Sequence, residues 1–284
     1  MDLVNHLSDR LLFAVPKSSD IEFHRYNRLD IALSTNLPIA LIFLPAADIP
    51  TFVGEGRCSL GITGVDQVEE SEVDVELALD LTFGKCKLQV QVPVDGPYKE
   101  PKQLIGKTIV SSFTNLTRKY FEKLEGVKSG EPLKTKIKYV GGSVEASCAL
   151  GVADAIVDLV ESGETMRAAG LIDIATVLST SAYLIESKTP SHPELSQTIK
   201  ARIEGVLAAQ KYILCNYNAP RENLSDLLAL TPGRRAATVS PLDDEGWVAI
   251  SSMIEKGKKG EIMDKLKSKG ASDIILFDIS NCRV

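Results

Sequence analysis

Asp154 and Asp158 bracket and interrupt an apolar run, Ala155-Ile156-Val157 and Leu159-Val160, and Ser162-Gly163-Glu164-Thr165 follows at once. The run has the composition of a strand buried on both faces of a parallel sheet. The turn reads as the entrance to a helix. A helix entrance presents N–H groups without intrahelical partners and the positive end of the dipole. Ser162 and Thr165 add hydroxyl donors, and Gly163 lets the backbone approach a ligand closely. Such a turn is a phosphate cradle. An Asp beside it can accept from sugar hydroxyls or face a magnesium ion. Phosphate, ribose and metal together describe a phosphoribosyl donor. An ordinary strand–turn–helix with Ser162 as N-cap fits the same residues, and a short Gly/Ser loop does not separate the two.

Other stretches carry weaker chemistry. Gly61-Ile62-Thr63-Gly64 ends a strand-like segment and could face a phosphate or a nucleotide across a cleft, or simply be a strand-to-helix turn. Glu145 could help bind metal, position substrate, or serve only its helix. Thr231-Pro232-Gly233-Arg234-Arg235 is a turn with two cations that reads as solvated loop charge. The lysines at 256, 258, 259, 265, 267 and 269 read as a solvated helix face. Trp247, the single tryptophan, reads as core.

Composition excludes several classes. The net charge is −6 with no dense Lys/Arg cluster, which disfavours a nucleic-acid partner. The longest apolar run, Leu37 to Ala47, is too short for a membrane span and contains prolines. The N-terminus has no signal-peptide layout. Five scattered cysteines, none in a CxxC pair, read as reduced thiols of a cytoplasmic protein. His6, His24 and His192 stand far apart, against a histidine metal site or a Ser-His nucleophile.

The elements that must position these residues alternate. Strand-like segments at 11–15, 39–44, 59–63, 87–94, 107–111, 134–140, 155–160 and 175–185 are separated by helical ones at 46–55, 65–70, 115–124, 143–150 and 165–169. Ser143 is the expected N-cap of the fourth helix. The alternation predicts an α/β fold with a mainly parallel sheet. Residues 194–212 carry apolar residues at helical spacing, Leu195, Ile199, Ile203, Val206 and Leu207, and read as one amphipathic helix. The remainder follows the order βαββαβ, the ferredoxin-like unit.

The stretch from Glu145, EASCALGVADAIVDLVESGETM, resembles the signature of the ATP phosphoribosyltransferase family, at Glu145, Gly151, Ala153, Ile156, Asp158, Ser162, Gly163, Thr165 and Met166. DIPTFVGEGRCSLGITGVDQV at 48–68, WVAI at 247–250 and IMDKLKSKGASDI at 262–274 extend the resemblance over nearly the whole chain, including the C-terminal domain of the long form; ALSTNLPIALIFLPAADIP looks fungal. The resemblance implies two catalytic lobes like type II periplasmic binding proteins plus the C-terminal ferredoxin-like domain. Lobe I is expected over 1–90 and 178–195, lobe II over 91–177, and a regulatory domain over 205–284, with the active cleft between the lobes. It also implies transfer of the phosphoribosyl group of phosphoribosyl pyrophosphate to N1 of ATP, the first step of histidine biosynthesis, with Mg²⁺ as cofactor.

In that reading Asp154, Asp158 and Glu145 are the catalytic residues, and Glu145 is also the metal candidate. Ser162, Gly163, Glu164 and Thr165, with Gly61, Thr63, Gly64 and Lys17, bind substrate. Histidine is expected as inhibitor on Asn218, Thr238, Ser252 and Asp273, and the chain is expected to form a homo-oligomer, dimer or hexamer. One departure stands out. The family continues its first strand as Pro-Lys-Gly-Arg-Leu and a helix, whereas Pro16-Lys17 here meets Ser18-Ser19-Asp20. Either the helix is lost or the sequence omits a loop; flanks that still resemble the family on both sides favour the omission. Two other readings share the fold: a small-ligand-binding protein, and a regulatory subunit that has lost its site.

Overall fold

The computed structural model describes residues 19–24 and 29–283. The expected strand at 11–15 lies outside them. The chain divides into two compact units, residues 43–196 and residues 1–42 with 197–284. In the latter, the first described strands are β1 (Ile31–Leu33) and β2 (Ala40–Ile42), paired antiparallel with Ala32 opposite Leu41.

The 43–196 unit opens with α1 (Ile49–Gly54), which has Pro50 in its first turn, then β3 (Leu60–Gly64), α2 (Val65–Ser71) and β4 (Glu76–Asp80). β5 (Cys86–Pro93), β6 (Thr108–Ser111), α3 (Thr114–Glu125), β7 (Lys136–Tyr139), α4 (Ala146–Ala149), β8 (Ala155–Val160), α5 (Glu164–Ala168) and β9 (Leu171–Thr180) follow, and β10 (Ala182–Glu186) closes it. These strands make two sheets, one ordered β3-β10-β4 and one ordered β7-β6-β8-β5-β9. The chain passes between them twice, between Asp80 and Cys86 and again at Ser181. The expected single strand over 175–185 is therefore two strands in different sheets. The sheets are also less parallel than expected. β6 runs parallel to β7 and β8, but β5 is antiparallel to β8 and β9, and the smaller sheet is antiparallel throughout.

The central strands of the five-stranded sheet carry buried residues on both faces, and period-2 alternation assigns them. Ile109, Ala155 and Val157 join Leu88, Val90 and Phe121 in the core under α3. Val110 and Ile156 pack on the other face with Val144, Met166 and Leu171, the side of α4 and α5. Asp158 follows Ile156 on that second face. The fourth helix is shorter than expected. Ser143 has φ 51 and does not cap it; Glu145 stands at the N-cap position of α4.

The C-terminal unit contains α6 (Pro193–Lys211), β11 (Tyr212–Pro220), α7 (Leu224–Leu230), β12 (Thr238–Pro241), β13 (Trp247–Glu255), α8 (Lys259–Ser268) and β14 (Ser272–Asp278). Its sheet order β12-β13-β11-β14, antiparallel throughout, is the ferredoxin-like arrangement. Tyr217, Ile250, Leu227 and Leu266 fill the core between one sheet face and α7 and α8. The molecule is thus an α/β protein with two type II periplasmic-binding-protein-like lobes and a C-terminal ferredoxin-like domain.

Candidate active site

Because β6, β7 and β8 are parallel neighbours, their carboxyl ends open on one side, where ligands of open α/β sheets bind. Three loops leave there: Ser112–Phe113 into α3, Val140 to Val144 into α4, and Glu161 to Gly163 into α5.

The loop after β8 turns into α5 at Gly163. Gly163 is buried with φ 73, a left-handed conformation that glycine adopts without steric penalty. A Cβ there would also lie 2.8 Å from Arg167 Nη1. Ser162, Glu164 and Thr165 are exposed. The Ser162 hydroxyl does not cap α5 conventionally; it accepts only a long 3.4 Å contact from the Glu164 N–H. Arg167 Nη2 donates to the Ser162 carbonyl at 3.1 Å, which sets a guanidinium beside the turn. Arg167 was not singled out in the sequence, although its i+4 spacing from Gly163 places it over the first turn.

Asp158 lies on the strand that delivers this loop. Its Oδ1 accepts the Leu159 N–H at 2.9 Å. Burial, aided by the nearby Glu145 carboxylate, pushes the Asp158 carboxyl up to about 6, against the pull of the Leu159 hydrogen bond. A buried carboxyl with a second carboxylate near enough to raise its pKa is a donor set that a hard divalent cation satisfies. Among the described residues no group of three or more His, Cys, Asp or Glu is arranged to hold a metal. That is compatible with Mg²⁺, which commonly takes one or two carboxylates and fills its shell with water and phosphate oxygens.

Other sequence-based candidates sit elsewhere. Asp154 precedes β8 at the opposite end from the loop, roughly 25 Å along an extended strand. Its carboxylate accepts the Thr108 N–H at 2.9 Å and the Tyr98 hydroxyl at 3.2 Å, fastening the start of β8 to the start of β6. Thr63 is buried and donates to the Ala46 carbonyl at 2.9 Å. Gly61 faces α1, where a Cβ would meet Ile49 Cγ2 at 2.6 Å; its role is close helix–strand packing. At Gly64 a Cβ would collide with the Asp66 carboxylate, so this glycine leaves room for Asp66. Lys17 lies outside the described residues.

In the C-terminal unit, a cavity of about 240 Å³ on the open face of the sheet is lined by Asn216, Asn218, Thr238, Ser251, Asp273 and neighbours. It brings together three of the four proposed inhibitor residues. Asp273 has φ 48, unusual for a non-glycine residue, and its Oδ2 accepts from Asn218 Nδ2 at 3.2 Å and from the Ser272 hydroxyl at 3.0 Å. Asn216 Oδ1 is buried without a hydrogen-bond partner. Ser252 is the correction. It is 3% exposed and donates to the Thr231 carbonyl on the core side, because one step along β13 reverses the face. Ser251 lines the cavity instead.

The ATP phosphoribosyltransferase family model matches residues 45–205, and the model of the HisG C-terminal domain matches residues 209–281. The chain is 71% identical to the ATP phosphoribosyltransferase of Yarrowia lipolytica over 297 residues and 68% identical to that of Saccharomyces cerevisiae over 298, with all of each chain covered. It is 54% identical to that of Schizosaccharomyces pombe, again over all of both chains. These alignments are longer than the 284 residues of this chain, so the relatives carry positions without a counterpart here. The expected interruption after Lys17 lies outside the described residues. The ATP phosphoribosyl transferase (HisG:HisZ) complex from Thermotoga maritima shares the fold at 19% identity and a TM-score of 0.57, over 69% of this chain and 88% of that one. By both family models and by full-length identity, this chain belongs to the ATP phosphoribosyltransferase family.

Proposed function

We propose that the chain transfers the phosphoribosyl group of phosphoribosyl pyrophosphate to N1 of ATP in the cytoplasm, as the first step of histidine biosynthesis. The observation that carries this reading is the Ser162–Thr165 turn at the carboxyl end of β8, placed on the strand that bears Asp158. The 5′-phosphate rests on the backbone N–H groups and hydroxyls of that turn, with Arg167 beside it. The neutral adenine N1 already has a lone pair, so no strong base is needed. N1 forms a bond to C1′ while the C1′–O bond breaks, and its electron pair leaves with pyrophosphate. Asp158 stands on the donor side to meet the positive charge that builds on the sugar. Glu145 with Asp158 would hold Mg²⁺, which supplies charge neutralisation for the departing pyrophosphate. We keep lobe I over 1–90 and 178–195, lobe II over 91–177 and the regulatory domain over 205–284 as our division; the chain crosses between the two sheets within a few residues of those boundaries, at 81–85 and at Ser181.

Histidine inhibits, in this reading, by binding the cavity on the C-terminal sheet. Asp273 and the unpartnered Asn216 oxygen suit its ammonium, and Asn218 and Thr238 offer donors to its carboxylate. The effector acts by favouring one arrangement of a homo-oligomer, dimer or hexamer, over another. The experiment is an assay with ATP, phosphoribosyl pyrophosphate and Mg²⁺ that follows the ultraviolet change of N1-substituted adenine, with and without histidine. No absorbance change with any divalent ion would overturn the transferase reading.

A further inference from the structure

Helix α2 connects β3 to β4 in the three-stranded lobe, yet its hydrogen bonds at both ends reach the five-stranded lobe. At its start, Asp66 is 4% exposed; its Oδ1 accepts the Thr180 hydroxyl at 2.7 Å and its backbone N–H donates to Thr180 Oγ1 at 3.1 Å. Thr180 is the last residue of β9, next to the crossing at Ser181. At the other end the Glu70 carboxylate accepts the backbone N–H groups of Asn115 and Leu116, each at 2.9 Å. Asn115 Nδ2 returns a bond to the Glu70 carbonyl at 2.8 Å.

Those two amides belong to the first turn of α3, where backbone donors lack intrahelical partners. Phe113 stands at the N-cap and has no side-chain acceptor, so the cap comes from the other lobe. Bonds from a carboxylate to backbone N–H groups are charge-assisted and directional. The neighbouring Glu72–Lys119 pair, 2.7 Å apart, has both side chains about half exposed and contributes little by comparison. The capped turn is wired to the catalytic strand. The Phe113 N–H donates to Ser111 Oγ at 2.9 Å, and that hydroxyl donates to the Val157 carbonyl at 2.6 Å, one residue before Asp158.

We propose that Glu70 is a positioning residue for the transfer reaction, holding the first turn of α3, and through it the Ser111–Val157 connection, at a fixed place relative to the facing lobe. The proposal rests on the phosphoribosyl-transfer reading above. A transfer between two bound substrates depends steeply on their alignment. The bonds at Asp66–Thr180 tie one end of α2 to the end of β9, and Glu70 ties the other end to α3, so α2 braces the two sheets of this unit against each other.

The test uses the full-length protein and the variants Glu70→Ala, Glu70→Gln and Glu72→Ala. Glu70→Ala should lower kcat by about ten-fold or more while the Kd for phosphoribosyl pyrophosphate, read by calorimetry, stays within about three-fold. Glu70→Gln, which keeps one acceptor oxygen, should recover part of that loss, and Glu72→Ala should behave as wild type. Hydrogen exchange at the Asn115 and Leu116 amides should accelerate in Glu70→Ala. A kcat within about two-fold of wild type in Glu70→Ala, or donor affinity that falls in step with kcat, overturns the proposal. If Glu70→Ala does not fold, Glu70→Gln decides, and an unchanged kcat there overturns it. An inactive wild type sinks the transferase reading instead, and amide exchange still reports on the brace.

Discussion

The carboxylates of Asp158 and Glu145 sit close enough to repel, and that repulsion adds to burial in holding Asp158 protonated up to about pH 6. The folded-state value is raised, so the folded protein binds this proton more tightly than the unfolded chain. The stability this gives is fully present below about pH 4 and is lost as pH rises through about 6. Asp158→Asn should therefore stabilise the protein at pH 8 by on the order of 1–3 kcal/mol, and by little at pH 4. Urea unfolding in metal-free buffer at the two pH values measures it. The same variant should lose turnover more than ATP affinity, since the contact matters most as C1′ gains charge. A gain in stability with a loss of rate is the signature of a residue retained for chemistry. Equal unfolding midpoints for variant and wild type at both pH values would show that the carboxyl is solvated and carries no such cost.

Asp154 makes the opposite prediction. Its carboxylate satisfies the Thr108 N–H and the Tyr98 hydroxyl, far along β8 from the donor turn. Asp154→Ala should leave both donors short of a partner and cost about 1–3 kcal/mol of stability. The Kd for phosphoribosyl pyrophosphate should hold in protein kept well below its melting temperature. Donor binding lost from a folded Asp154→Ala protein would return this residue to the site.

The contrast between these two aspartates shows how far the sequence carries. Strand β8, its turn and α5 were legible because composition, the Gly163 turn and the family signature agree. That Asp154 and Asp158 stand at opposite ends of β8 was not, because four residues of spacing fix a face and not an end. The core-side placement of Ser252 was hidden for a related reason: one step along a strand reverses the face, and Ser251 and Ser252 are the same residue type. Gly61 and Thr63 look like loop chemistry in sequence, but a helix packed at 2.6 Å from a missing Cβ and a bond to the Ala46 carbonyl are tertiary facts. The split at Ser181 was not read because both flanks, ATVLST and AYLI, are strand-like and no Gly or Pro marks the break between two strands that belong to different sheets. The C-terminal domain was read almost element for element, since its strands alternate between more and less buried positions and are separated by turns or helices.

The donor turn gives a direct binding test. Thr165→Ala removes an exposed hydroxyl from the first turn of α5, and the expected loss of phosphoribosyl pyrophosphate affinity is about 1–3 kcal/mol, the scale of one hydrogen bond to a charged group. Arg167→Met should weaken the donor at least as much, because it removes a charge and also frees the Ser162 carbonyl. Calorimetry on folded variants reads both. Wild-type donor affinity in the pair would take this turn out of the site.

The cavity on the C-terminal sheet separates two adjacent serines. Asp273 accepts from Asn218 and Ser272 in a left-handed backbone conformation that costs free energy, so an intact Asp273 is expected to serve binding rather than folding. Asp273→Asn should weaken histidine by about ten-fold, the loss of one charged partner, while leaving the uninhibited rate unchanged. Ser252→Ala should leave histidine affinity near wild type and instead lower stability by about 1–2 kcal/mol, because the buried Thr231 carbonyl loses its donor. Ser251→Leu, on the cavity face, should fill the pocket and abolish inhibition with little change in melting temperature. The three variants are read together by histidine calorimetry, inhibition curves and thermal unfolding. Histidine affinity that falls with Ser252→Ala and ignores Asp273→Asn and Ser251→Leu would place the effector somewhere other than the open face of this sheet.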